Sequence, residues 1–322
     1  MKKFLQFLVM LFPAGLYAQT PASELSIAAA KALPAVVQVQ TFVSDSLWNR
    51  YPDLATKGVK PAISGSGYLR GSASGVLVST TGQIITNAHV VEGGDSLVVI
   101  LPDRRSYRAV VIGTDDATDL ALLNIQTTGL PFLEFGDPNL LSIGDPVLAI
   151  GNPMELNSTV TAGILSARFR NVEDTFDISL VNSYLQTDAA SNEGMSGSAL
   201  VDRNGKLIGI NAAILSPTGA FSGYAFAIPS GIVNKAWRDL AQYGHVKHAG
   251  LDIVFSDMDA VKARQLRAKT AKGVLIDSLV AGGTADRSGL RREDILLELD
   301  RQPLINAAQL RELLAQRSPG NI

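Results

Sequence analysis

Between residues 35 and about 227 the chain alternates short β-branched apolar runs with turn residues. Runs at 35–43, 75–78, 83–86, 97–101, 109–113, 120–125, 147–150 and 159–167 are spaced as in an all-β sandwich or barrel. Two later runs, 199–201 and 207–210, flank Asp202–Lys206. Asn204-Gly205 within that stretch predicts a hairpin turn, because both residue types accept positive φ. Helical periodicity is scarce until Ser230. From there Ile232, Val233, Ala236, Trp237 and Leu240 share one face, with Ser230 as the expected N-cap and Gly244 as the stop.

After Gly244 the pattern changes. Strand (251–255), helix (259–266), strand (274–277), short helix (284–290), strand (295–299) and helix (306–316) follow in turn. The last helix is expected to turn Leu310, Leu313 and Leu314 inward. This is a separate small α+β domain, with limits of 24–244 for the β-rich domain and 245–322 for the second. Residues 44–74 and 171–178 read as loops, and long loops in a compact domain are usually functional or disordered.

The first residues stand apart. Lys2 and Lys3 precede an apolar run over 4–16, with small residues at Ala18 and Ala22. That layout reads as a secretory signal peptide over 1–18. The run is short for a spanning helix and contains Pro13, and no later run reaches spanning length. The mature form is therefore expected to be exported, to start near Gln19 and to lack an integral membrane span.

Composition narrows the chemistry. The 322 residues are 46% apolar and 18% charged, as in ordinary globular proteins. A net charge of −2 argues against a nucleic-acid partner. With no cysteine, neither disulfides, a thiolate metal site nor a cysteine nucleophile is possible. Of the three histidines, His245 and His248 are close together, but no carboxylate cluster completes a metal site. Neither cofactor nor metal is expected.

Three segments carry candidate chemistry. Thr86-Asn87-Ala88-His89 ends a β run, Asp119 opens the apolar run at 120, and Ser196 sits between Met195 and Gly197 in Gly194-Met195-Ser196-Gly197-Ser198. Each alone is weak. Together they give the order His, Asp, Ser at separations of 30 and 77 residues, the chymotrypsin-type order rather than that of α/β-hydrolases or subtilisins. Serine needs an imidazole to take its proton, and a carboxylate to fix the imidazole's tautomer. The glycines let the backbone N–H groups of Gly194 and Ser196 face an oxyanion.

The chain resembles the HtrA (Deg) family of trypsin-like serine proteases from about Ser26 onward. The resemblance rests on Gly71-Ser72-Ala73-Ser74-Gly75-Val76-Leu77-Val78, Thr86–Val91, Thr118–Leu123, Ala149-Ile150-Gly151-Asn152-Pro153, residues 159–167, Gln186-Thr187-Asp188, Gly209-Ile210-Asn211 and Ala225-Phe226-Ala227-Ile228-Pro229. It implies a chymotrypsin-like pair of six-stranded β-barrels with the triad between them, followed by a PDZ domain. It also implies ATP-independent cleavage of unfolded or damaged polypeptides, a homotrimer or multiples of it, and periplasmic localisation. Phe42 and Trp48 are candidates for the trimer contact. Ser191, Ile214 and Leu215 would line the S1 pocket and favour small or medium aliphatic P1 residues; alternatively Ile214 and Leu215 are barrel core. Gly250, Leu251, Asp252 and Ile253 resemble the PDZ carboxylate-binding loop, and a PDZ domain binds an extended chain as an added strand.

The sequence departs from the family where it matters. The usual Asn-Pro-Gly-Asn-Ser-Gly-Gly reads Asn192-Glu193-Gly194-Met195-Ser196-Gly197-Ser198. Glu193 would oppose an oxyanion if it pointed inward, and Ser198 adds bulk. Asp252 replaces the usual glycine and should repel a peptide carboxylate. The PDZ resemblance stops at residues 318–322, where its last strands should begin, which implies a C-terminally incomplete domain. Two rivals stay open: a catalytically impaired, chaperone-like binder of unfolded chains, and a broad esterase.

Overall fold

A computed structural model describes residues 22–44, 60–61, 68–153, 158–172, 182–216 and 220–320. The predicted signal peptide, Trp48 and most of both predicted loops lie outside these residues.

The chain enters through α1 (Glu24–Ala32), where the Ser23 hydroxyl accepts the Ser26 amide at 3.2 Å. The periodicity did not announce this helix, because only Ala28 and Ala32 are buried on it. Two alanines make a thin apolar stripe. Strands β1 (Val36–Val43), β2 (Lys60–Pro61), β3 (Tyr68–Leu77), β4 (Gln83–Thr86), β5 (Ser96–Ile100), β6 (Ser106–Asp115) and β7 (Leu120–Ile125) follow, with helix α2 (Ala88–Val91) between β4 and β5. They pair in the order β1-β5-β6-β7-β4-β3, and β1–β3 pairing closes a six-stranded barrel with β2 on its rim.

The second barrel comprises β8 (Pro146–Gly151), β9 (Thr159–Arg170), β10 (Tyr184–Thr187), β11 (Ala199–Asp202), β12 (Leu207–Ile214) and β13 (Ala225–Pro229). It closes in the order β10-β13-β12-β11-β8-β9. Closure removes the unpaired edges that an open sheet would expose. The hairpin at 202–206 forms, but only Gly205 takes positive φ (+72°). Asn204 instead donates its amide to Asp202 Oδ1 at 2.8 Å, a local turn that holds the residue at ordinary φ.

Helix α3 (Ser230–Tyr243) leaves the second barrel and packs back on β6 and β7 of the first. Its cover explains why β7 reads as an unbroken apolar run: Leu120, Ala121, Leu122 and Leu123 are all buried. Trp237 stacks on Phe135 at 5.7 Å and donates to Gln83 Oε1 at 2.9 Å. The N-cap is Pro229, not Ser230; Ser230 lies inside the helix and its hydroxyl donates to the Gly136 carbonyl at 2.7 Å. Gly244 ends the helix at φ +74°, as expected of a left-handed C-cap.

The second unit contains β14 (Ile253–Asp257), α4 (Ala260–Gln265), β15 (Val274–Leu279), α5 (Thr284–Arg287), β16 (Ile295–Leu296), β17 (Glu298–Leu299), β18 (Gln302–Pro303) and α6 (Ala307–Ala315). Strands β14-β15-β16 form one sheet and β17-β18 a hairpin. Leu310 and Leu313 of α6 are buried with Val274 and Leu304, and Leu314 is partly buried beside them. The sequence-predicted strand at 295–299 is two short strands, broken at Leu297, which is exposed.

Candidate active site

The histidine sits on α2, one turn past β4, rather than at a strand end. Its neighbour Asp119 opens β7 in the left-handed region, at φ +54°. Such a conformation is costly for a non-glycine residue and must be held by its surroundings. Here the Asp119 carbonyl accepts the Ala88 amide at 3.1 Å and the Asn87 side-chain amide at 3.0 Å. The carboxylate, 3% exposed, accepts the His89 amide at 3.0 Å and lies 2.8 Å from the ring Nδ1. His89 itself is 40% exposed, and its Nε2 has no hydrogen bond among the described residues.

Upstream of Asp119, the Asp115 carboxylate accepts the Thr118 amide and hydroxyl and lies 2.7 Å from His248 Nε2. Burial pushes the Asp115 carboxyl up, but the bonds from His248 and Thr118 outweigh it and hold the carboxyl below its usual range. His248 is therefore tied to the turn that presents Asp119 rather than standing free in a linker. Among the described residues no group of histidines and carboxylates could hold a metal.

Ser196 lies in a tight loop before β11. Gly194 and Gly197 take φ of +91° and +79°, a region that favours glycine. The Met195 amide donates to the Asn192 carbonyl at 3.0 Å and the Ser198 amide to the Met195 carbonyl at 3.0 Å. The amides of Gly194 and Ser196 have no acceptor among the described residues. No hydrogen bond joins Ser196 to His89 among those residues; catalytic contacts are often long without substrate.

The unusual residues of this loop are each accommodated. Met195 buries its side chain in the second barrel's core with Val147, Leu165, Leu185 and Leu200, an anchor worth roughly 1.5–3 kcal/mol. The Ser198 hydroxyl accepts the Asn211 side-chain amide at 2.8 Å. Glu193 is exposed and does not reach into the core of the loop. Ser74, on β3 of the other barrel, was not singled out by sequence; its amide donates to the Ser196 carbonyl at 2.9 Å and its hydroxyl to the Gly194 carbonyl at 2.7 Å.

Of the expected S1 residues, Ser191 is buried, Ile214 half-buried and Leu215 36% exposed. Neither Ile214 nor Leu215 belongs to a barrel core cluster. In the second unit, Gly250 is exposed and Leu251 and Ile253 half-buried. Asp252 takes φ +56°, the region where glycine is at ease. Its carboxylate accepts the Thr284 amide at 2.8 Å, which holds its pKa below the usual range.

Residues 73–210 match the family model described as trypsin-like peptidase domain, and residues 247–322 match that of the PDZ domain. The chain is 34% identical over 318 residues to a probable periplasmic serine endoprotease DegP-like of Chlamydia pneumoniae, covering 90% of this chain and 63% of that protein. It is 34% identical over 313 residues to the periplasmic pH-dependent serine endoprotease DegQ of Escherichia coli (strain K12), covering 94% and 67%. Against several such relatives it spans only a little over half of their length, for example 55% of the DegP-like protein of Chlamydia muridarum. A solved structure of the HtrA-type protease AlgW with tripeptide superposes with a TM-score of 0.70 at 33% identity, covering 92% of this chain and 88% of that one.

Proposed function

Because this chain belongs to the HtrA-type, trypsin-like serine protease family, we propose that it is an exported, periplasmic serine endopeptidase that degrades unfolded or damaged polypeptides. The observation that carries this reading is the buried Asp119 carboxylate 2.8 Å from His89 Nδ1, together with a serine loop whose Gly194 and Ser196 amides have no acceptor among the described residues. In the proposed reaction the Ser196 hydroxyl attacks the scissile carbonyl carbon and its proton passes to His89 Nε2. Asp119 keeps the proton on Nδ1 and stabilises the imidazolium. The Gly194 and Ser196 amides receive the oxyanion, a contribution of roughly 3–4 kcal/mol per donor. Collapse breaks the C–N bond, and the leaving amine takes the proton from His89. Water, activated by the same histidine, then hydrolyses the acyl-enzyme.

The periplasmic names of the relatives support the proposed location. Domain limits of 24–244 and 245–322, a homotrimeric assembly, and S1 walls from Ser191, Ile214 and Leu215 are part of the same proposal. Peptide capture by the loop from Gly250 to Ile253 is proposed to be weakened by the Asp252 charge. The binder rival draws on the altered serine loop; Met195 packs in the barrel core, Ser198 is hydrogen-bonded and Glu193 is exposed, which favours the enzyme.

A fluorophosphonate probe tests for an activated serine. Stoichiometric labelling of the wild type, absent in Ser196→Ala and in His89→Ala, is expected. Equal labelling of wild type and Ser196→Ala would contradict the assignment.

A further inference from the structure

Four successive peptide planes make up the serine loop from Glu193 to Gly197. The planes 193–194 and 195–196 carry the amides of Gly194 and Ser196, which have no acceptor among the described residues. The alternate planes, 194–195 and 196–197, are locked at both ends. In the first, the Gly194 carbonyl accepts the Ser74 hydroxyl at 2.7 Å, and the Met195 amide donates to the Asn192 carbonyl at 3.0 Å. In the second, the Ser196 carbonyl accepts the Ser74 amide at 2.9 Å, and the Gly197 amide donates to the Asn211 carbonyl at 2.9 Å. One residue of the first barrel thus contacts both of these planes of a loop that belongs to the second, while plane 195–196 is held at its carbonyl by the Ser198 amide at 3.0 Å.

The Ser74 hydroxyl is also held. It accepts the Asn152 amide at 2.9 Å, which leaves its own proton directed to Gly194. The bonds run in one chain, Asn152 N–H to Ser74 O–H to the Gly194 carbonyl, and each polarises the next. The Ser74 carbonyl accepts the Thr86 hydroxyl at 2.7 Å, three residues before His89. Ser74 is fully buried, so water cannot replace any of these partners.

We propose that Ser74 is a positioning residue for the oxyanion donors: its hydroxyl and amide together set the planes that aim the Gly194 and Ser196 amides at the reacting carbonyl oxygen. This rests on the protease reading above. A hydroxyl whose only role was to fill the barrel junction would affect folding but not the turnover of folded molecules. A hydroxyl that aims the donors acts in the transition state, lowering kcat with little change in KM when removed.

The test is steady-state cleavage of a fluorogenic peptide by wild type, Ser196→Ala and Ser74→Ala, with the folded fraction of each measured by circular dichroism. Ser74→Ala is expected to lower kcat per folded molecule by roughly ten- to a hundredfold and leave KM within about twofold. Inhibition by a peptide boronate, which mimics the tetrahedral state, should weaken by the same factor as kcat. Folded Ser74→Ala with wild-type kcat overturns the proposal. If Ser74→Ala does not fold, Ser74→Cys, similar in size but a poorer donor, reads the same quantity: a lowered kcat at constant KM supports positioning, and an unchanged kcat overturns it. Failure of both to fold assigns Ser74 to the fold and also overturns it. Wild type no more active than Ser196→Ala sinks the protease reading itself, a result separate from any effect at Ser74.

Discussion

Asp119 grips His89 at two points, the ring Nδ1 at 2.8 Å and the backbone amide at 3.0 Å. The double contact fixes both the ring's rotation and the chain that carries it. Replacing the carboxylate by an amide preserves the shape and removes the charge that selects the tautomer. Asp119→Asn is expected to lower kcat by about four orders of magnitude with the fold intact. A rate within a few-fold of wild type, measured on a fluorogenic peptide, would remove Asp119 from the triad.

Gly197 is constrained from two sides. It takes φ +79°, and a Cβ there would lie 2.2 Å from the Ser74 carbonyl oxygen and 2.3 Å from Thr86 Oγ1. Both obstacles belong to the same junction of the barrels. Gly197→Ala is therefore expected to destabilise the protein by roughly 2–4 kcal/mol and to abolish detectable cleavage. A melting temperature and activity equal to wild type would show that the junction yields more easily than its geometry implies.

Helix α6 docks on the second barrel through an acid. Glu312, 2% exposed, accepts the Ser183 hydroxyl at 2.8 Å, and Asn306 donates to the Phe169 carbonyl at 3.2 Å. Burial raises the Glu312 pKa from 4.5 to about 7; Ser183 and Arg168 pull it down, Asp137 pushes it up, and Gln316 donates weakly to the other oxygen. A raised carboxyl pKa means the folded state holds the proton that the unfolded chain releases. The contribution to stability is complete below about pH 4.5, declines as pH rises towards 7, and then levels off. The span corresponds to roughly 3 kcal/mol. Glu312→Gln should flatten the fall in melting temperature between pH 5 and about 7.5 and raise it at the upper end. An unchanged pH profile, followed by scanning fluorimetry, would contradict this.

The loop at Asp252 makes a prediction of the opposite kind. Its φ of +56° suits glycine, and its exposed carboxylate is charged at neutral pH, held further below its usual pKa by the Thr284 amide. Asp252→Gly should therefore fold and bind peptides with a free C-terminal carboxylate more tightly, with less gain for the amidated peptides. Calorimetry with a matched pair of peptides distinguishes the cases; equal gains for both forms would refute charge repulsion as the barrier.

Much of this was legible in the residues. Strands 83–86 and 120–125 were bounded to the residue because turn signals close both ends. The closeness of His89 and Asp119 was readable because the chain order His, Asp, Ser is diagnostic and both residues sit in recognisable local runs; the part of Ser196 is the proposal above. What stayed hidden depends on contacts between distant segments. The bonds of Ser74 to Asn152 and Gly194 join positions 78 and 120 residues apart, and no local period signals them. Helix α2 is too short for a periodic pattern, so His89 read as the end of a strand. Asp119's left-handed backbone is imposed by donors from 87 and 88, not by its own preference. Nothing local marks Met195 as an anchor; only the second barrel's core reveals it.

The most direct test is degradation of β-casein by the chain from Gln19 onward, beside its Ser196→Ala counterpart at matched concentration. Peptide products are expected from the wild type and none from Ser196→Ala. Equal cleavage by both, or intact casein with both under conditions where each is folded, would contradict the protease reading.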